Sequence, residues 1–457
     1  MTLISEVGLF LIKAKLFIMF FYTPSVCGGV VDCVTSVFSR MKVTIGKRFK
    51  RVVYISAGLT AFHIGLSVMM SCIARSQYFL QLHNGQGIWN FAMDSTGYHT
   101  EALTLLELLK NGDYSGWWGS SSFWHVKWIA LSYAIFKPNP LSFAPINAMA
   151  WVISIACVYQ IVRKLFPDNH KLAVVSAMTF GFWPSYLLHT TQLLKEPFYV
   201  IGILMMVWGW IGLLSSHKGI GYSMLIGFGV LLAYLQRTYI LEPLLGLSLL
   251  GLTLVLWRSR RSWPSALLAC ILVVGLYAYV HEGDTLNKPR IQSQQESYLT
   301  RVVEWLENFV RKIAYARDGY IGNYPKAGRN IDTDVHFYSF ADIIAYLPEA
   351  ALIGFLAPFP KHWFEDGKTA GRASRIIAGF EMVAWYLLMI GFLYFLATGL
   401  VALQIRIWLF IFCTSLVLLI SLVVTNIGAL FRMRFVYFLP ILIGGLEGWM
   451  RYTWSRK

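Results

Sequence analysis

The chain has 457 residues, of which 57% are apolar and only 14% carry a charged side chain. Soluble domains carry roughly 25% charged residues, so this composition excludes an ordinary soluble globular protein and predicts an all-α polytopic membrane protein. The net charge of +16 would suggest nucleic acid as the partner of a soluble protein. In a membrane protein, lysine and arginine instead collect in cytoplasmic loops beside anionic lipid. We therefore expect membrane lipids, and no nucleic acid, as partners.

Residues 1–51 are expected to form an interfacial and cytoplasmic segment. The apolar run at 5–23 is interrupted by Lys13 and Lys15, and it is short for a spanning helix, which needs about 20 apolar residues. An amphipathic helix lying in the interface is the first interpretation, and a true span is the alternative. The basic run at 42–51 is expected on the cytoplasmic side.

Apolar runs predict ten membrane crossings, or eleven if one ambiguous segment also crosses. The ambiguous segments are 5–23 and 341–358, and the second of these contains Pro348 and Glu349. The ten runs lie at 52–73, 142–162, 172–188, 198–214, 220–235, 240–257, 264–280, 376–398, 406–425 and 435–450.

Basic turns follow alternate runs, and the positive-inside rule then places the loop 74–128 on the outer side. This loop ends in an aromatic-rich stretch that predicts interfacial helices. The pattern divides the remaining chain into a transmembrane module at 52–280, an outer loop at 281–340 and C-terminal transmembrane helices at 341–457. The outer loop 281–340 contains an apolar periodicity typical of an amphipathic helix.

The first outer loop contains Asp94 in the run NFAMDSTGYHTEAL. A positioned carboxylate can accept the proton of a hydroxyl that acts as a nucleophile, which makes Asp94 a candidate catalytic base. The same residue before S-T-G is also a normal helix cap, which is the structural alternative. Glu101 is a second catalytic candidate, and Tyr98 and His99 are candidate substrate contacts.

Further charged residues lie at the outer ends of later spans, where the positive-inside rule does not explain them. The basic ones are Lys195 and Arg237 and, in the preferred topology in which 341–358 does not cross, Arg432 and Arg434; if 341–358 crosses, the last two lie inside. Such side chains can hold a lipid phosphate, and snorkelling to headgroups is the alternative. Glu196 is a catalytic candidate that would orient a substrate hydroxyl or a partner side chain, and an ordinary helix start is its alternative.

The outer loop 281–340 offers Arg317, Arg329 and His336 as candidate substrate contacts in a polar setting. Asp332 and Asp334 have the D-x-D spacing that occurs in metal–nucleotide sites, but no P-loop and no nucleotide-binding βαβ pattern accompanies them. We therefore predict no metal site and no cofactor, although a divalent metal stays open at these two carboxylates.

Several segments, taken in order, resemble the GT-C superfamily of membrane glycosyltransferases, especially its protein O-mannosyltransferase and aminoarabinose transferase branch. The segments are the early outer-loop Asp94 followed by FKPNPLSFAPINAM, VYQIVRKLF, FGFWPSYLLHT and LLKEPFYV. The C-terminal segments LAPFPKHWF, Glu381 and NIGALFRMR are similar to a bacterial polysaccharide-assembly subset.

The resemblance implies a GT-C-like bundle that transfers a sugar from a polyprenyl phosphate or diphosphate. The acceptor would be a lipid, a glycan or a protein on the outer, periplasmic face of the bacterial plasma membrane. The resemblance points to Asp94 as the base and to basic outer-face residues as the phosphate site. The O-mannosyltransferase pattern has adjacent Asp and Glu, whereas Ser95 follows Asp94 here, which leaves Glu101 as a candidate for the second acidic role.

Two other functions stay open. A polysaccharide polymerase or ligase of the O-antigen type would centre its chemistry on the arginines and histidine of loop 281–340, so its activity would follow Arg317, Arg329 and His336. A lipid or glycan transporter would show flipping without sugar transfer, and paired repeats with broken helices would be typical of it.

Overall fold

The computed structural model describes the chain in six stretches: 47–215, 219–258, 261–286, 298–323, 330–364 and 371–454. Throughout these stretches the regular structure is helical, and pairing of extended backbone is limited to the isolated bridges His83–Trp89 and Asn330–Asn426. The predicted all-α class is therefore confirmed for the described residues. The predicted interfacial helix at 5–23 and Arg329 both lie outside the described residues.

The first half of the chain forms nine helices in the described stretches. They are α1 (Lys47–Ile73), α2 (Asp94–Lys110), α3 (Tyr114–Gly119), α4 (Trp124–Ile135), α5 (Ala144–Leu165), α6 (His170–Gly181), α7 (Pro184–Thr190), α8 (Glu196–Leu214) and α9 (Ile220–Gln236).

The described part of the second half adds eight helices. They are α10 (Leu241–Arg258), α11 (Trp263–Leu286), α12 (Tyr298–Asn323), α13 (Phe340–Leu356), α14 (Gly371–Thr398), α15 (Leu403–Val423), α16 (Ile427–Met433) and α17 (Leu439–Trp454). The described residues fall into two units, one that ends at Gly65 and holds the first part of α1, and a second that begins at Leu66. The second unit contains all the residues discussed below.

Seven of the described helices are long and apolar enough to cross a membrane, and the bent pair formed by α16 and the segment Phe435–Thr453 makes up to eight. The protein is therefore an integral membrane protein. Two of the ten predicted crossings are not among the eight. The run at 220–235 forms the 17-residue helix α9, which is short for a span, and the run at 172–188 is broken.

The break in 172–188 falls at Trp183, between α6 and α7. Pro184 cannot continue a helical hydrogen-bond ladder, and it pushes the preceding residue towards an extended conformation. Trp183 is extended accordingly, with φ −60° and ψ 122°. The carboxylate of Glu381 accepts hydrogen bonds from the Ser185 backbone N–H at 2.6 Å and from Trp183 Nε1 at 2.8 Å. These contacts satisfy donors that would otherwise be unpaired at the start of α7.

Helix α8 lies at the centre of the bundle, since 83% of its span is buried within the protein. It packs closely against α9 at Gly202, where an added Cβ would lie 2.7 Å from the carbonyl oxygen of Gly229. Helices α14 and α17 approach equally closely, because Gly391 contacts the backbone of Gly445. Small residues at such crossings let helix backbones meet, which is typical of packing within membranes.

The segment that is predicted to be the first outer loop is folded rather than extended. Helices α2 and α4 pack on one another through a buried apolar cluster that includes Leu105, Leu106, Ile129 and Tyr133. The loop before α2 is tied down where Trp89 Nε1 donates to the carbonyl oxygen of Met70 at 2.9 Å. The predicted helices of this loop are therefore present as α2, α3 and α4.

The second predicted outer loop contains the expected amphipathic helix, which is α12. The ambiguous segment 341–358 forms α13, a 17-residue helix with Pro348 inside it and a capping box at Ser339 and Asp342. The hydroxyl of Ser339 accepts from the Asp342 backbone N–H, and the Asp342 carboxylate accepts from the Ser339 backbone N–H. This reciprocal pairing fixes where α13 begins.

Candidate functional site

Asp94 is the first residue of α2, directly after Met93 at the cap position. Its carboxylate Oδ2 accepts a hydrogen bond of 2.7 Å from Nη2 of Arg432, which is 338 residues further along the chain. The Asp94 side chain is 32% exposed. The carboxylate is therefore held at its site by a distant arginine, and part of it faces open space.

Arg432 lies near the end of the short helix α16, and its guanidinium joins two carboxylates. Nη2 contacts Asp94, and Nε lies 3.1 Å from Oε1 of Glu196. The second contact is an ion pair whose atoms are not aligned for a hydrogen bond. The Arg432 side chain is 18% exposed, whereas that of Glu196 is 7% exposed, so the guanidinium runs from a buried end to a more open end.

Arg237 completes the group from the other side of Glu196. Its Nη2 donates to Glu196 Oε1 at 3.2 Å, its Nη1 donates to the hydroxyl of Tyr239 at 3.3 Å, and its guanidinium lies 4.6 Å from the ring centre of Tyr199. Only 2% of the Arg237 side chain is exposed. A buried arginine needs such a counter-ion, because an uncompensated charge inside a protein is costly.

We call Asp94, Arg432, Glu196 and Arg237, in that order of contact, the ion-pair network. Both of its carboxylates are the first residues of their helices, α2 and α8. Within the described chain, Glu196 Oε2 and Arg237 Nε are buried without a hydrogen-bond partner. The four positions are those that the sequence marked as candidate base, candidate orienting carboxylate and candidate phosphate ligands.

Lys195 stands beside the ion-pair network and is half-buried. Its ammonium lies 4.3 Å from the ring centre of Phe123, and among the described residues it forms no ion pair. Burial, together with the nearby Arg237, lowers the pKa of Lys195 to about 8. An ammonium in this setting gains from an anionic ligand, because the ligand supplies the missing counter-charge.

The side chains of Tyr98 and His125 pack against each other near Lys195. Their rings meet edge to face with centres 4.3 Å apart, and His125 is buried with neither ring nitrogen hydrogen-bonded within the described residues. Burial lowers the pKa of His125 to about 3, with Lys195 adding to the effect. Burial, followed by the Asp94 carboxylate, raises the pKa of Tyr98. Both rings are therefore neutral near pH 7.

Comparison with known proteins finds no family model, no curated protein and no solved structure that matches this chain. The function of the site is therefore argued from its own geometry and chemistry.

Several predicted site residues lie elsewhere. The guanidinium of Arg434 is buried and donates to the backbone carbonyls of Gly354 and Ala357 at the end of α13. His99 Nδ1 pairs with the Tyr133 hydroxyl at 2.7 Å. Glu101 lies about two helical turns beyond Asp94 on α2, and no described hydrogen bond or ion pair joins it to the network.

The substrate contacts predicted in segment 281–340 also serve the fold. Arg317 is fully buried and donates to three backbone carbonyls, those of Val335, Leu422 and Asp332, at 3.0, 2.8 and 2.6 Å. His336 Nδ1 pairs with Asp318 at 2.9 Å on the surface. These contacts fix the loop against the end of α15.

The D-x-D pair does not form part of a larger acidic group in the described structure. Asp332 Oδ2 accepts a hydrogen bond of 2.7 Å from the hydroxyl of Tyr346. The described residues contain no cluster of three or more histidine, cysteine, aspartate or glutamate side chains that is suited to a metal ion.

The sequence pattern does not assign a site role to His125 or Glu381. His125 and Lys127 are polar residues in the otherwise apolar helix α4, and that contrast was the available signal. Lys127 is explained by its contacts, since its ammonium donates to the Trp118 carbonyl and lies 5.0 Å from the Trp124 ring centre. The ring nitrogens of His125, in contrast, have no hydrogen-bond partner among the described residues.

Proposed function

We propose that the protein is an integral membrane glycosyltransferase that uses a sugar linked to a polyprenyl phosphate or diphosphate. The observation that carries this proposal is the convergence of Asp94, Arg432, Glu196 and Arg237 into one ion-pair network with Lys195 beside it. A partly exposed carboxylate next to several cations combines a potential base with a potential phosphate site.

The charge of the site supports a phosphate-bearing donor. Arg237, Arg432 and Lys195 contribute three positive charges, and Asp94 and Glu196 contribute two negative charges, which leaves one positive charge. A phosphodiester between a sugar and a polyprenol carries a single negative charge. Its binding would therefore neutralise a partly buried site, where Coulomb interactions are stronger than in water.

The proposed reaction is a direct displacement at the anomeric carbon. The acceptor hydroxyl oxygen forms a bond to that carbon while the bond from the carbon to the phosphate oxygen breaks. The electron pair of the broken bond leaves on the polyprenyl phosphate or diphosphate, and the hydroxyl proton passes to Asp94. The configuration at the carbon is inverted, and no nucleotide takes part.

Each charged side chain has a stated task in this reaction. Asp94 accepts the proton, and Arg432 and Lys195 stabilise the negative charge that develops on the leaving phosphate. Glu196 and Arg237 are buried and hold Arg432 in place, so they are positioning residues. The acceptor belongs to the class of lipids, glycans or proteins that present a hydroxyl at the membrane surface.

We place this site on the outer, periplasmic face of a bacterial plasma membrane, in a GT-C-like bundle with ten crossings. Seven helices are long and apolar enough to cross the membrane, and the bent pair of α16 and Phe435–Thr453 would form an eighth crossing. The helix α9 and the broken segment formed by α6 and α7 would supply the other two, because broken helices are tolerated where neighbouring groups satisfy the freed backbone.

The test is transfer from a lipid-linked sugar by the purified full chain and its Asp94→Asn variant. Loss of a general base costs about 10²- to 10⁴-fold in rate, and a loss of that size is expected here. Glu107→Gln is the matched control, because Glu107 is an exposed carboxylate on the same helix and forms its ion pair in the described structure with the exposed Lys110. Unaltered transfer by a well-folded Asp94→Asn variant would rule out the proposed base.

Assays on the same purified protein also distinguish the proposed glycosyltransferase from the two other functions. A polymerase or ligase centred on the second outer loop predicts that transfer survives Asp94→Asn and is lost on changes at Arg317 or His336. A transporter predicts movement of labelled lipid across a vesicle membrane without any sugar transfer.

A further inference from the structure

The guanidinium of Arg432 has two ends that differ in their surroundings. Nε faces Glu196, a buried carboxylate that is also bonded to Arg237. Nη2 faces Asp94, whose side chain is about one-third exposed and whose cationic partner in the described chain is Arg432. One end of the arginine is therefore fixed, and the other end is accessible.

The two contacts differ in how readily they can be exchanged. Removing Glu196 would strand the buried guanidinium of Arg237 and leave Arg432 with Asp94 alone, which is costly. Partly exposed ion pairs contribute little net stability, because water can replace either partner. The Asp94 contact is therefore the one that an incoming anion can replace.

Phosphate is the anion suited to this exchange. The guanidinium edge matches phosphate oxygens in a two-point contact, and such charge-assisted hydrogen bonds are among the stronger ones in proteins. Lys195 adds a second, unpaired ammonium beside the network. A phosphate at the Nη edge of Arg432 would gain a two-point contact with the guanidinium, whereas Asp94 makes a single hydrogen bond to it.

We propose that Asp94 and the donor phosphate compete for the same edge of Arg432, so that donor binding displaces the Asp94 carboxylate and frees it to accept the acceptor proton. This inference rests on the proposed function and adds a sequence of events to it. Before donor binds, Asp94 Oδ2 accepts a hydrogen bond from the guanidinium, which makes this oxygen less available to a hydroxyl proton. The base becomes available when the leaving group is already in place.

The inference predicts opposite effects of one substitution on binding and on transfer. Asp94→Asn removes the competing negative charge, so affinity for a polyprenyl phosphate rises about five- to tenfold, while transfer is lost. The probe is farnesyl phosphate, titrated into the full chain in detergent micelles. Farnesol tests the contribution of the lipid tail, inorganic phosphate tests the headgroup alone, and Glu107→Gln controls for the loss of a carboxylate elsewhere on α2.

A double-mutant cycle distinguishes exchange from general charge repulsion. In an Arg432→Gln background there is no shared edge, so Asp94→Asn is expected to leave the affinity for farnesyl phosphate unchanged. An equal gain in both backgrounds would overturn the inference, because repulsion alone would then explain it. If Arg432→Gln does not fold, Arg432→Lys serves as the second background, because it keeps the positive charge and lacks the two-point edge; an equal gain there overturns the inference as well.

The outcomes also separate this inference from the proposed function. Loss of transfer in Asp94→Asn without a gain in farnesyl phosphate affinity overturns the competition and leaves the base intact. Retained transfer overturns the proposed function, whatever the affinity. A gain for inorganic phosphate equal to that for farnesyl phosphate assigns the site to free phosphate and overturns the donor's part in the exchange.

Discussion

Replacement of Glu196 by glutamine is the most direct test of the ion-pair network. The carboxylate is 7% exposed and lies 3.1 Å from Arg432 and 3.2 Å from Arg237. Breaking a buried ion pair by removing one partner costs about 3–5 kcal/mol. Because the glutamine oxygen can still accept one hydrogen bond, we expect a loss of about 3 kcal/mol in the free energy of unfolding.

The assay is thermal unfolding of the full chain in detergent, followed by tryptophan fluorescence. Glu107→Gln is the control, since the exposed pair of Glu107 and Lys110 contributes only about 0.2–1 kcal/mol. Combining Glu196→Gln with Arg237→Gln should cost less than the sum of the two single changes, because the second change removes a stranded cation. An unchanged midpoint for Glu196→Gln would refute the view that this carboxylate neutralises both arginines.

Three further predictions follow from other contacts. The affinity for farnesyl phosphate should fall as pH rises through about 8, where Lys195 loses its proton, and Lys195→Arg, which stays charged, should remove this decline. Arg434→Met should lower the free energy of unfolding by about 3 kcal/mol, because it leaves buried carbonyls at the end of α13 unpaired, with no change in farnesyl phosphate affinity. Glu381→Gln should destabilise by about 1–2 kcal/mol in the same thermal assay, because its two hydrogen bonds at the start of α7 lose the carboxylate.

Hydropathy predicted most of the bundle, since every long apolar run in the described chain forms a helix. The interruption at 172–188 shows the limit of that approach. Pro184 marked a local disturbance, but the carboxylate that satisfies the freed backbone comes from Glu381, on α14. The local sequence around 172–188 contains no information on a partner that lies about 200 residues away. The apolar run therefore predicts one continuous helix, although the structure has two.

The sequence predicted which charged residues could belong to the candidate site. It did not predict which of them contact one another. Arg432 and Arg434 differ by two positions and had the same alternatives in the sequence, yet one joins two carboxylates and the other holds the end of α13. The chain leaves the helix α16 at Arg434, which sends neighbouring side chains in different directions. His125 was missed because a lone histidine in an apolar helix is usually part of the core.

Two helices begin at the ion-pair network, α2 with Asp94 and α8 with Glu196. The aligned peptide dipoles of a helix place about half a positive charge at its first turn, so the backbone adds to the field of the arginines and the lysine. This contribution belongs to the fold and survives any single side-chain replacement. Attraction for an anion should accordingly weaken in steps as Lys195, Arg237 and Arg432 are neutralised one after another, and a residual attraction should persist while α2 and α8 remain folded.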